Sequence, residues 1–143
     1  MISGVRHTGI VVNDIENAIE FWTKLFNFEV VTDKIEEGKF IDNLLGLSDV
    51  SVRTVKLSAQ DGSIIELLRF TNHRSLPVWD GYPYTTGLTH VALNSIDLHS
   101  IVLKLEQNGY SKINEIQKSP DGKVLVCYVK GFEGTLLELV ETI

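Results

Sequence analysis

The chain opens on a short run of β-branched and small residues, Gly4-Val-Arg-His-Thr-Gly-Ile-Val-Val12, whose length and polar boundaries predict a strand. The period then changes. Ile15, Ala18, Ile19, Trp22, Leu25 and Phe26 recur at three- and four-residue spacing, which draws an apolar stripe along a helix of about three turns. Asn13 is placed to cap that helix and Glu16 to close the capping box. Phe28 to Ile35 reads as a second strand, and Val50 to Leu57 with Ser63 to Phe70 as a hairpin turning around Asp61-Gly62. Between them, residues 36–49 carry Phe40, Ile41, Leu44, Leu45 and Leu47, a short helical pattern that reads as an insertion. Residues 71–86, with Pro77, Gly81 and Pro83, have the composition of a connector.

The order then repeats. Gly87 to Asn94 matches the first strand, and Leu98, Ile101, Val102 and Leu105 lay down a second helical stripe that stops at Asn108-Gly109. Tyr110 to Gln117, Lys123 to Val129 and Thr135 to Val140 are strand-like. An offset of 83 residues carries His7 onto His90, Asp14 onto Asp97 and Ile15 onto Leu98. An offset of 72 carries Gly62 onto Gly134, Ser63 onto Thr135 and Glu66 onto Glu138. The shift of 11 between the offsets is the insertion. Such internal similarity predicts an α+β chain built from two copies of one module, residues 1–70 and 87–143, joined by the connector.

Strand parity then singles out two carboxylates. Glu66 shares its face with Ile64, Leu68 and Phe70, and Glu138 shares its face with Leu136 and Val140. Burying a carboxylate on an apolar face is costly unless a partner or a metal compensates it. If a pseudo-twofold axis relates the modules, His7, Glu66, His90 and Glu138 can converge from four strands. Two imidazoles and two carboxylates suit one divalent ion, Ni, Co, Zn, Mn or Fe(II). Such an ion polarises a substrate carbonyl or enolate oxygen and eases deprotonation of the adjacent carbon. Taken singly, each residue also has an ordinary reading, as a core or edge histidine or an edge glutamate facing water; the matched placement favours the metal. His73 in the connector and His99 in the second helix lack that support and are read as surface residues.

Composition narrows the partners. With 13 basic against 19 acidic residues the net charge is -6, which disfavours nucleic acid and anionic membrane surfaces as partners. No stretch approaches the ~18 apolar residues of a membrane span, and residues 1–6 lack a leader pattern. The one cysteine, Cys127, lies in an apolar run and cannot form an intrachain disulfide. These features predict a soluble, cytoplasmic protein.

The sequence resembles the vicinal oxygen chelate superfamily, which includes glyoxalase I, methylmalonyl-CoA epimerase, extradiol dioxygenases and fosfomycin and bleomycin resistance proteins. The resemblance spans essentially the whole chain. It is carried by His7-Thr-Gly-Ile-Val-Val, Ala18-Ile-Glu-Phe-Trp-Thr-Lys-Leu-Phe-Asn-Phe28, Asp61-Gly-Ser-Ile-Ile-Glu-Leu-Leu68, Leu88-Thr-His-Val-Ala-Leu93 and Glu133-Gly-Thr-Leu-Leu-Glu-Leu-Val140. It implies paired βαβββ modules forming a cupped mixed β-sheet around a metal site, with ligand positions at His7, Glu66, His90 and Glu138. Homodimers are common in such proteins. A carboxylate at Glu66 resembles the glyoxalase I set, where the epimerases usually have glutamine. Phe21-Trp22, Phe26-Asn27-Phe28 and the insertion depart from the glyoxalase I pattern.

The function the resemblance implies first is a metal-dependent lyase or isomerase of the glyoxalase I-like type. It would act on a small carbonyl or thioester substrate through a metal-stabilised enediolate or enolate, with Glu138 as base and Glu66 as ligand or second base. The alternatives are an extradiol-type Fe(II) dioxygenase and a non-catalytic small-molecule (antibiotic) binding protein. Trp22, Trp79, Tyr82, Tyr84 and Phe40 could line a cup, though Trp22 also fits helix core. Arg53, Arg69 and Arg74 could hold a carboxylate or phosphate, or could be solvated surface charges.

Overall fold

Asp14 adopts an extended backbone immediately before the first helical residue, and its carboxylate accepts from the Asn17 amide at 3.1 Å. That makes Asp14, not Asn13, the cap of α1 (Ile15–Glu20). The helix widens into a π turn over Phe21–Leu25, where Phe21, Trp22 and Phe28 pack edge to face. Asp97 caps α3 (Leu98–Gln107) in the same way, accepting from the Ser100 amide at 2.9 Å. The 83-residue offset therefore relates working caps as well as apolar stripes.

The computed structural model describes residues 1–72, 79 and 82–143. The chain divides into two compact units, Met1–Pro77 and Val78–Ile143. It is a mixed α+β protein with nine strands and three α-helices among the described residues. Much of the predicted connector, with His73, Arg74, Pro77 and Gly81, lies outside the described residues.

In the first unit, β1 (Thr8–Val11), β2 (Glu29–Glu37), β3 (Ser51–Ser58) and β4 (Ile64–Phe70) form a sheet in the order β1-β4-β3-β2. The outer strand β1 runs parallel to β4, whereas the other pairs are antiparallel. Gly62 takes φ +84° in the β3–β4 turn, a conformation that glycine adopts without strain. The alternation of the strands sends Val55, Leu57, Ile65 and Leu67 into a core with Ile15, Ala18, Phe21 and Trp22. The opposite sheet face carries Glu66. The predicted insertion does contain a helix, α2 (Lys39–Leu45), and it covers part of that second face, where Ile41, Val50 and Val52 pack with Leu68 and Phe70.

The second unit holds β5 (Val91–Asn94), β6 (Ser111–Lys112), β7 (Gln117–Lys118), β8 (Val124–Lys130) and β9 (Leu136–Thr142). Its sheet runs β5-β9-β8-β6, with β7 also paired to β8. Again the outer strand is parallel to its neighbour. Leu98, Val102 and Leu105 of α3 are buried, as are Cys127, Val129, Leu137 and Leu139 of the sheet. The expected strand over 110–117 is instead two short ladders. Between them the Asn114 side chain accepts from the Glu115 amide, a local bond that competes with strand pairing.

Candidate functional site

Glu66 on β4 stands beside Gly9 of β1, and Glu138 on β9 stands beside Ala92 of β5. The 72-residue offset carries Glu66 onto Glu138 and the 83-residue offset carries Gly9 onto Ala92, so the repeat in the sequence is a repeat of register. His7 and His90 each lie two residues before the glutamate's neighbour and so share its face. The Nε2 atom of His7 is 2.9 Å from Glu66 Oε2, and that of His90 is 3.2 Å from Glu138 Oε2. These side chains are partly open to solvent. Those of Glu66 and Glu138 are 14% and 24% exposed, which leaves room for a further ligand at each pair.

Three further residues meet these pairs and were not singled out by the sequence pattern. Lys56 on β3 faces Glu66 across the strands, its Nζ 3.6 Å from Oε1. Tyr128 on β8 faces Glu138 in the same register, and its hydroxyl lies 3.4 Å from His90 Nε2. Burial, followed by the nearby Glu138 carboxylate, raises the pKa of that phenol above its ordinary value. The signal that could have found them is the 72-residue offset, which carries Lys56 onto Tyr128. Thr89 is the third: its Oγ1 is 2.9 Å from His90 Nδ1.

The Thr89 contact serves either tautomer of His90. With the proton on Nε2, that nitrogen donates to Glu138 and the Thr89 hydroxyl donates to Nδ1. With the proton on Nδ1, the imidazole donates to Thr89 and Nε2 presents a lone pair to a cation. An imidazole nitrogen beside a carboxylate oxygen, twice over, is a donor set that fits a divalent ion. Each pair stands by itself in this respect. Among the described residues, no group of three or more His, Cys, Asp or Glu side chains is gathered into a metal-binding cluster.

The remaining candidates fall elsewhere. Arg53 lies on the face opposite Glu66 and is engaged by Asp33, at 2.8 and 2.7 Å, and by Glu16. Its guanidinium holds the Asp33 carboxyl below the usual range. Arg69, also on the opposite face, donates to the Phe70 carbonyl. Trp22 is 2% exposed and belongs to the core, not to a cup. Phe40 is exposed on α2, Trp79 is exposed, and Tyr82 and Tyr84 stack on one another with centroids 5.4 Å apart. His99 is exposed at the start of α3. Cys127 is buried on the face away from Glu138, and burial raises its thiol pKa. No described helix is long and apolar enough to cross a membrane.

Residues 6–128 match the model of the Glyoxalase/Bleomycin resistance protein/Dioxygenase superfamily. No curated protein matches the chain. Among solved structures, a glyoxalase family protein from Bacillus cereus is similar at TM-score 0.92 and 24% identity, over 100% of this chain and 96% of that one. A glyoxalase I variant from Zea mays gives TM-score 0.68 at 14% identity, over 94% of this chain and 43% of that one. The fosfomycin resistance protein FosX from Listeria monocytogenes, complexed with Mn(II) and sulfate, gives 0.64 at 17%, over 100% and 95%. At these identities the likeness is one of fold.

Proposed function

This chain belongs to the glyoxalase/bleomycin resistance protein/dioxygenase superfamily, and on that premise we propose that it is a metal-dependent lyase or isomerase that moves a proton beside a small carbonyl or thioester group. The observation that carries the reading is the doubled pair, an imidazole Nε2 facing a carboxylate Oε2 at equivalent registers of two modules. His7, Glu66, His90 and Glu138 are the residues that would serve as its ligands. When bound, a divalent ion supplies Lewis-acid polarisation of a substrate oxygen.

The chain's own residues do the rest. Glu138 is the base that takes the proton from the carbon next to the carbonyl and returns it to the product. It is suited to this because its neighbours are an imidazole and a phenol, and it has no Lys or Arg ion pair among the described residues. The Tyr128 hydroxyl lies against His90, and Tyr128 stands opposite Glu138 in the sheet. Thr54 also lies on the face of Glu66, where it is 4% exposed and its Oγ1 has no hydrogen-bond partner among the described residues. The same reading extends to a cytoplasmic location, which the lone buried cysteine and acidic charge fit, and to the homodimer common in this superfamily.

The test begins with elemental analysis of protein purified without an affinity tag or chelator, wild type beside the His7→Ala/His90→Ala variant. About one divalent ion per chain is expected, lost in the variant. The loaded protein is then given hemithioacetals and acyl thioesters in deuterated water, and exchange of the proton beside the carbonyl is followed by NMR. Oxygen uptake with a catechol would replace this reading with a ring-cleaving oxygenase. Tight binding of an antibiotic with neither metal nor turnover would replace it with a binding protein.

A further inference from the structure

The two modules repeat one another at the histidine, at the glutamate and in strand register, yet differ at the residue opposite the glutamate. The first module places an ammonium there, Lys56, and the second a phenol, Tyr128. Resting on the metal reading above, we propose that Lys56 is a built-in counter-cation that opposes metal binding at Glu66, leaving His90 and Glu138 as the stronger half of the ligand set.

A lysine beside a ligating carboxylate acts in two opposed ways. It can orient the carboxylate, and partners of that kind strengthen metal binding by roughly 10- to 100-fold. It also repels the incoming dication. The geometry decides between them. The Nζ···Oε1 distance of 3.6 Å is beyond the range of a normal N–H···O hydrogen bond, so the contact is chiefly coulombic and orients Glu66 weakly. The Lys56 side chain is 29% exposed, so its charge is only partly screened. Repulsion of a dication by a single positive charge a few ångströms away, in a medium between protein and water, lowers affinity by roughly 10- to 100-fold. In the second module no charge of that kind is paired with Glu138 among the described residues. Lys56 also explains how Glu66, the less exposed of the two glutamates, keeps its negative charge compensated without an ion.

The experiment is metal titration by calorimetry with Mn(II) and Zn(II), on the wild type, Lys56→Met, Lys56→Gln and Tyr128→Lys, after circular dichroism has matched their folds. Both Lys56 variants should bind at least about ten-fold more tightly, by a margin that narrows as salt is raised. Tyr128→Lys should bind more weakly. Equal or weaker binding by both Lys56 variants, with the wild type still binding, overturns this proposal and leaves the metal reading standing. No binding by the wild type or by any variant overturns both.

Discussion

Nε2 of His90, the residue immediately before β5, lies 3.2 Å from Oε2 of Glu138 on β9, the strand that runs parallel to β5. The carboxylate is held by the backbone ladder, and the imidazole by the residue directly preceding its first paired position, Val91. Replacing Glu138 by Gln keeps the size of the side chain and removes its basicity. Turnover should fall by about 10²- to 10⁴-fold, with an unchanged thermal midpoint. Full activity in Glu138→Gln would remove this residue from the mechanism.

Thr89 is the Nδ1 partner of His90 at 2.9 Å, and its hydroxyl can accept from Nδ1 when Nε2 is left free for an ion. Thr89→Val preserves shape and deletes that partner. Metal affinity, read by competition with a chromophoric chelator, should drop by roughly ten-fold or more, and Thr89→Ser should restore most of it. A valine variant that binds as tightly as the wild type would show that the threonine does not support the metal-binding tautomer.

The buried Thr54 hydroxyl gives a prediction for stability. Valine fills the same volume without an unsatisfied oxygen, so Thr54→Val should leave the melting temperature unchanged or raise it. A lowered melting temperature would mean that the hydroxyl has a structural role.

Acid should uncouple the helix caps. Hydrogen bonds from Asn17 hold the Asp14 carboxyl below its ordinary value of 3.8, and those from Ser100 do the same for Asp97. A carboxyl whose folded pKa is depressed contributes stability that is present above its unfolded value and lost as pH falls through the folded one. Asp97→Ala should therefore lower the melting temperature at pH 7. The gap from wild type should shrink as pH is taken below about 4. A gap that is constant with pH would mean that the cap works without its charge.

Much of this was legible in one dimension. The alternation of Val55, Leu57, Ile65 and Leu67 and the helical spacing of Ile15, Ala18 and Trp22 identify the buried positions, because strand and helix periods are local properties of the backbone. The doubled offsets matched His7 with His90 and Glu66 with Glu138 because a duplicated module conserves its spacing wherever no residues are inserted. The cap was misjudged by one residue, Asp14 for Asn13, since either side chain can cap and the choice depends on which of them takes the extended conformation. The strand over 110–117 was misjudged because the bond between Asn114 and Glu115 competes with a ladder that residue propensity alone favours.

The sequence by itself determined the two modules, their elements and the residues able to bear chemistry, all of which follow from short-range periodicity and spacing. Only the tertiary structure decided what each glutamate faces. Lys56 meets Glu66 and Tyr128 meets Glu138 through antiparallel register, across separations of 10 residues in the chain. It also decided that Arg53 is spent on Asp33 and Glu16, and that α2 covers part of the face carrying Glu66. Such pairings depend on hydrogen-bonded register and on which face of a sheet remains uncovered, and those are fixed when the strands and helices pack together.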